Sequence, residues 1–186
     1  AQIAAAYEAG GAACLSVRTD RECFGGSADD LRWARSAVAV PVLRKDFTVS
    51  ERDVCDARCM GADAVLLIAA ALDAGELDDL HALAGEIGLD VLVEVHDERE
   101  LDRALAVGAT VVGVNQRDLV TFEVDPTRAA RVGAAMPAGV LRVAESGVRG
   151  PADAVVMAAA GFHAVLVGES VVTSADPAAS VAALCV

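Results

Sequence analysis

Basic residues are in short supply: 15 Lys and Arg stand against 28 Asp and Glu, for a net charge of −13. That balance argues against non-specific nucleic-acid binding, which needs a surplus of cations along the phosphate backbone. It argues equally against adhesion to anionic membrane surfaces. No apolar run approaches the ~18 residues of a membrane span; the longest, Ala64 to Leu72, lies between charged segments. Aromatic residues make up only 3%. No G-x-G-x-x-G follows an apolar run and no Walker A motif occurs, so neither common nucleotide fingerprint is present. The five cysteines are odd in number and scattered, which does not suggest a disulfide framework. Cys55 and Cys59 lie one helical turn apart with no His or Cys partner nearby in sequence, so they read as helix packing and no metal site is expected. No secretory pattern opens the chain, and a reducing, cytoplasmic location is the expectation.

Apolar residues fill 55% of the sequence, with Ala and Val dominant, as alternating helices and buried parallel strands require. Helical patterns fall at about 2–9, 27–38, 50–60, 74–86, 97–107, 126–135, 151–160 and 177–185. Short β-branched runs fall between them at about 13–17, 41–45, 64–68, 91–95, 111–115, 141–146 and 164–169. Strand centres recur roughly every 25 residues, the length of a βα unit. Gly11, Gly61, Gly108 and Gly161 stand where helices turn back toward the sheet. Ser27 with Asp30, Ser50 with Asp53 and Asp97 with Glu100 resemble capping boxes. With no linker and no low-complexity stretch, residues 1–186 read as one domain. The fold class is α/β. Functional residues at most strand ends, rather than at one switch point, favour a (β/α)8 barrel over an open doubly wound sheet. Such a barrel needs eight strands, and seven are visible. The chain opens on a helix that should follow a strand, so the expectation is a barrel lacking its first strand.

Five of the strand patterns switch at their carboxyl ends to residues that do not belong in a core, at the edge where parallel α/β folds bind ligands. Lys45 shares a strand face with Leu43, so if Leu43 fills the barrel, Lys45 stands at its mouth. There it can act as a general acid or hold an anion; the plainer reading is a snorkelling strand-end lysine. Glu94 is costly near the end of an apolar strand unless paired, and Lys45, two strands away, is its expected partner. A structural ion pair is the competing reading. His96, on the same face as Glu94, is equally open to a turn or capping role. Asn115 can orient a substrate hydroxyl and Arg117 adds positive charge, although turn chemistry would use the same residues. Glu145-Ser146-Gly147 and Gly168-Glu169-Ser170 end the last two strands, where barrels often cradle a phosphate on backbone N–H groups. Phe24-Gly25-Gly26-Ser27 suggests a loop with an aromatic lid, or a plain βα turn.

These segments together resemble the indole-3-glycerol phosphate synthase family: Phe24 to Ser27, Val42 to Phe47, Gly61 to Ile68, Leu92 to His96, Asn115 to Leu119, Glu145 to Gly147 and Gly168 to Ser170. The combination and order are specific although each segment alone is not. The resemblance implies ring closure, decarboxylation and dehydration of 1-(2-carboxyphenylamino)-1-deoxyribulose 5-phosphate. By the family pattern Lys45 polarises the ketone, Glu94 serves as general base or acid in dehydration, Glu145 assists electrostatically and Asn115 orients the substrate. Ser146, Gly147, Gly168 and the Glu169 backbone would hold the phosphate, and Phe24 and Phe47 would pack near the anthranilate ring. No metal or organic cofactor is expected, and the partner is a small phosphorylated molecule. The family's first-strand Glu and Lys and its Ser-Pro-Ser segment have no counterpart here, and the usual Asn-Asn is Asn115-Gln116. A chain without the first strand is expected to be an impaired synthase, with self-association possible through the open barrel edges. The alternatives are a non-catalytic phosphosugar-binding paralogue or a barrel completed by a partner. A different phosphosugar barrel would leave the set Lys45, Glu94 and Asn115 unexplained.

Overall fold

The computed structural model describes residues 1–186 apart from Leu119, and the backbone alone of Cys23 and Phe24. Apolar, β-branched runs form seven strands: β1 (Leu15–Arg18), β2 (Val42–Lys45), β3 (Ala64–Ile68), β4 (Asp90–Val95), β5 (Val111–Asn115), β6 (Leu141–Glu145) and β7 (Ala164–Leu166). They pair in parallel and in chain order from β1 to β7. The helices are α1 (Gln2–Ala9), α2 (Arg21–Phe24), α3 (Ala28–Ala37), α4 (Glu51–Met60), α5 (Ala74–Glu86), α6 (Glu98–Ala106), α7 (Arg128–Ala134), α8 (Pro151–Ala159), α9 (Glu169–Val172) and α10 (Pro177–Ala182), with a 3-10 turn at Ala69–Ala71.

Strand alternation sorts the side chains onto two faces. Val42, Val65, Leu67, Val93, Val95, Val112, Val114 and Ala144 point outward and join the helices in the larger core. Leu43, Leu66, Ile68, Leu92 and Val143 point inward and form a second, smaller core. The sheet must curl strongly. In a flat sheet, strands about 4.8 Å apart would put β2 and β6 roughly 19 Å from each other, yet the Lys45 ammonium on β2 touches the Glu145 carboxylate on β6 at 2.9 Å. The result is an open barrel, the arrangement of a (β/α)8 barrel with one strand lacking. Among the described residues β1 and β7 are each paired on one side only. The helical layer nevertheless meets across that gap, because α1 packs on α10. Gly10 permits the close approach: a Cβ there would lie 2.4 Å from the Ala178 carbonyl oxygen.

Local signals account for most boundaries. Ser27, Ser50 and Asp97 each accept a hydrogen bond from the backbone N–H three residues on. Asp30 and Asp53 do not complete a box; each carboxylate instead accepts the serine hydroxyl, at 2.6 and 2.7 Å. Glu100 is longer and reaches the N–H of His96 at 2.7 Å. The complete reciprocal box is at Asp73 and Glu76, at the start of α5. All four glycines expected to end helices have positive φ. Two expectations are corrected. The last strand stops at Leu166 rather than running to Glu169: the chain turns at Gly168, whose carbonyl accepts from Val171 and Val172 and so begins α9. The segment leading to Gly25 is not all loop, because Arg21–Phe24 form the short helix α2.

Candidate active site

Four polar side chains converge on the inner face of the sheet, each from the carboxyl end of a different strand. Lys45 stands above Leu43 on β2 and bridges two carboxylates, Glu94 at 3.1 Å and Glu145 at 2.9 Å. Glu94 on β4 also accepts from the Asn115 amide of β5 at 3.0 Å. Glu94 and Glu145 are each only 1% exposed. Burying them would be prohibitive without partners. Parallel register sets them two residues out of step: Glu94 is level with Gly113, and Asn115 with Glu145.

Gly113 is what makes room. It sits mid-strand, where a glycine weakens the sheet unless something approaches closely. A Cβ at this position would stand 2.0 Å from Glu145 Oε1. The carboxylate of β6 therefore lies over bare backbone of β5.

The three charged groups carry one surplus negative charge, and their titration reflects it. Burial opposes the Lys45 ammonium, but Glu145 and Glu94 outweigh it and raise its pKa above the usual lysine value. Burial pushes Glu94 upward, while the Lys45 charge and the Asn115 hydrogen bond more than reverse this and leave it below the ordinary carboxylate range. Glu145 is pushed up to about 7, by burial first and by the neighbouring Glu94 charge second, with Lys45 compensating only in part. Its Oε1 has no hydrogen-bond partner among the described residues. A buried acid poised near neutrality beside an ammonium and an ionised carboxylate is suited to proton transfer at neutral pH.

The remaining expected residues surround this cluster. Ser146 and Gly147 follow β6 with φ of +64° and +74°. For serine that conformation is strained. It is held from the neighbouring strand end: Gln116 donates from its side chain to the Ser146 carbonyl at 2.8 Å, and its backbone N–H donates to the Glu145 backbone carbonyl at 2.9 Å. Gly168 and Glu169 follow the adjacent strand β7 and are exposed. Phe47, just beyond β2, is 44% exposed. Arg117 turns its guanidinium to the Phe122 carbonyl at 3.2 Å and its backbone N–H to Asn115 Oδ1 at 3.0 Å, so it braces the loop after β5. The Phe24 side chain and Leu119 lie outside the described residues. His96 is joined to Glu100 at 3.0 Å and approaches Glu94 at 3.7 Å. Sequence reasoning assigned nothing to Gly113 or Gln116. The signal for Gly113 was available, a lone glycine inside a strand pattern. Gln116 carried none, since a glutamine beside a turn has no characteristic spacing. No cluster of three or more His, Cys, Asp or Glu able to hold a metal occurs among the described residues.

Comparison with solved structures extends the fold. A thiamine phosphate pyrophosphorylase from Pyrococcus furiosus superposes with a TM-score of 0.75 at 15% identity, covering 98% of this chain and 86% of that one. An N-acetylmannosamine-6-phosphate 2-epimerase from Clostridium perfringens superposes at 0.74 with 13% identity, covering 91% and 77%. At such identities the likeness concerns architecture. Sequence comparison is more specific. The chain is 53% identical over 184 residues to proteins named indole-3-glycerol phosphate synthase from Mycolicibacterium smegmatis, Mycobacteroides abscessus and Mycobacterium leprae, covering 99% of this chain and 68% of each relative. Since the family's sequence model matches residues 1–184 as well, the chain belongs to the indole-3-glycerol phosphate synthase family.

Proposed function

We propose that the cluster of Lys45, Glu94, Asn115 and Glu145 performs the ring closure, decarboxylation and dehydration that define an indole-3-glycerol phosphate synthase. The observation that carries this reading is the single ammonium shared by two buried carboxylates, 3.1 and 2.9 Å away. Lys45 stays protonated and can donate to the substrate ketone as the ring closes. Glu94, ionised and oriented by Asn115, acts as base and then acid in loss of water. Glu145, with its pKa near 7, adjusts the charge of the site as protons move. Ser146, Gly147, Gly168 and the Glu169 backbone hold the phosphate at the ends of adjacent strands, and Phe47 flanks the aromatic ring. The substrate is a small phosphorylated molecule, 1-(2-carboxyphenylamino)-1-deoxyribulose 5-phosphate, and the chemistry proceeds on side chains alone. Among the described residues no helix is long and apolar enough to cross a membrane.

The direct test is turnover of that substrate by the purified protein, followed by the appearance of indole fluorescence. Lys45→Ala is expected to reduce kcat by roughly 100-fold or more, with circular dichroism checking that the variant remains folded. An active wild type whose Lys45→Ala variant retains full kcat would remove Lys45 from the mechanism.

A further inference from the structure

His96 has been given no part in the chemistry, yet its surroundings are not those of a turn residue. The strand β4 that carries Glu94 ends one residue before it. Glu100 of α6 receives both its backbone N–H, at 2.7 Å, and its Nδ1, at 3.0 Å. A carboxylate at Nδ1 keeps the proton there, so the titrating nitrogen is Nε2. Nε2 is buried without a hydrogen-bond partner among the described residues, and it lies 3.7 Å from Glu94 Oε1. A small tilt of the ring closes that distance. His96 also lines a cleft of about 320 Å³, shared with Glu100, Asp97, Asp118, Arg128 and Arg131.

We propose that His96, oriented by Glu100, is a positioning residue that shares a proton with Glu94. In the forward step the O–H bond of protonated Glu94 breaks and an N–H bond forms at Nε2, giving a carboxylate and an imidazolium. The reverse step returns the proton. The residue that acts as base and then acid is thereby given a place to keep its proton between steps. This rests on the reading of Glu94 as the acid and base of the synthase. The charged groups facing the imidazole are Glu94 on its own strand, Glu100 on α6 and Asp97 before it, Arg128 and Arg131 on α7, and Asp118 after β5; Lys45 and Glu145 act on it through Glu94. Burial draws the imidazole down, but the hydrogen bond and charge of Glu100, with the Glu94 charge, hold it above the usual histidine value despite Arg128.

The first experiment is a pH titration of the imidazole nitrogens by NMR. The chain holds three histidines, so His96→Asn assigns the signal. Glu94→Gln is expected to lower the His96 midpoint; an unmoved midpoint overturns the proposal. The second is the pH profile of kcat. His96→Asn is expected to lower kcat roughly tenfold near neutrality and to shift one limb of the profile, with KM within about twofold. His96→Gln, which keeps a donor toward Glu94 but cannot titrate, is expected not to restore the limb. Profiles superimposable on wild type for both variants overturn the proposal. Coupling by NMR in a protein without turnover overturns the synthase reading and leaves the shared proton standing.

Discussion

Glu94 and Glu145 bring the same carboxyl group into the same buried site and emerge with opposite shifts, because the donors are unevenly divided. Glu94 receives Lys45 and Asn115, whereas among the described residues Glu145 receives Lys45 on one oxygen and no donor on the other. The sign of the consequence differs for each. The depressed pKa of Glu94 contributes stability that is present above the ordinary carboxylate range and lost as pH falls through its folded value. The raised pKa of Glu145 contributes stability that is complete below about 4.5 and lost as pH rises to about 7. Glu145→Gln removes the second dependence. Its stability relative to wild type is expected to improve between pH 5 and pH 8, by at most a few kcal/mol at about 1.4 kcal/mol per unit of pKa shift. Urea unfolding at the two pH values measures this, and a constant difference would contradict it. The sequence identified Lys45, Glu94, Asn115 and Glu145 as polar residues out of place at apolar strand ends. It could not rank the pKa values of Lys45, Glu94 and Glu145, since these depend on atoms brought from four strands.

At the scale of the element, β5 is shaped by its neighbour. Gly113 leaves bare backbone where the β6 carboxylate must lie, and the loop after β5 uses Gln116 to hold Ser146 in a left-handed conformation. Gly113→Ala is expected to displace Glu145 from Lys45 and to lower kcat about 100-fold, the cost of an ångström-scale misplacement in a site of this kind. Unchanged kinetics, with a crystal structure showing the Lys45–Glu145 contact intact, would refute the steric argument. Helix starts were largely legible, because a serine or aspartate cap acts within one turn. The short α2 and α9 were not. Four residues carry no periodicity, and α9 begins where Gly168 redirects the chain. The strand pattern through Val167 and Gly168 therefore outran the strand itself.

The whole molecule is an open barrel whose helical layer closes where its sheet does not, through α1 against α10. Gly10 has ordinary right-handed backbone angles, so its requirement is one of space, not of conformation. Gly10→Ala is expected to wedge the two helices apart and to cost about 1–3 kcal/mol, read as a lower urea midpoint with an unchanged m-value. A midpoint equal to wild type would show that the contact yields at no cost. The seven βα units, their order and the residues at their rims follow from the sequence alone, because hydrophobic periodicity and caps act over a few neighbouring residues. The curl of the sheet is a property of the assembled structure. It sets Lys45 against Glu145 across the three strands between them and lets Glu145 lie on Gly113. The contacts of Glu145 with Lys45 and Gly113 join residues 100 and 32 positions apart by the packing of whole strands, and no local pattern in the chain encodes a distance of that kind.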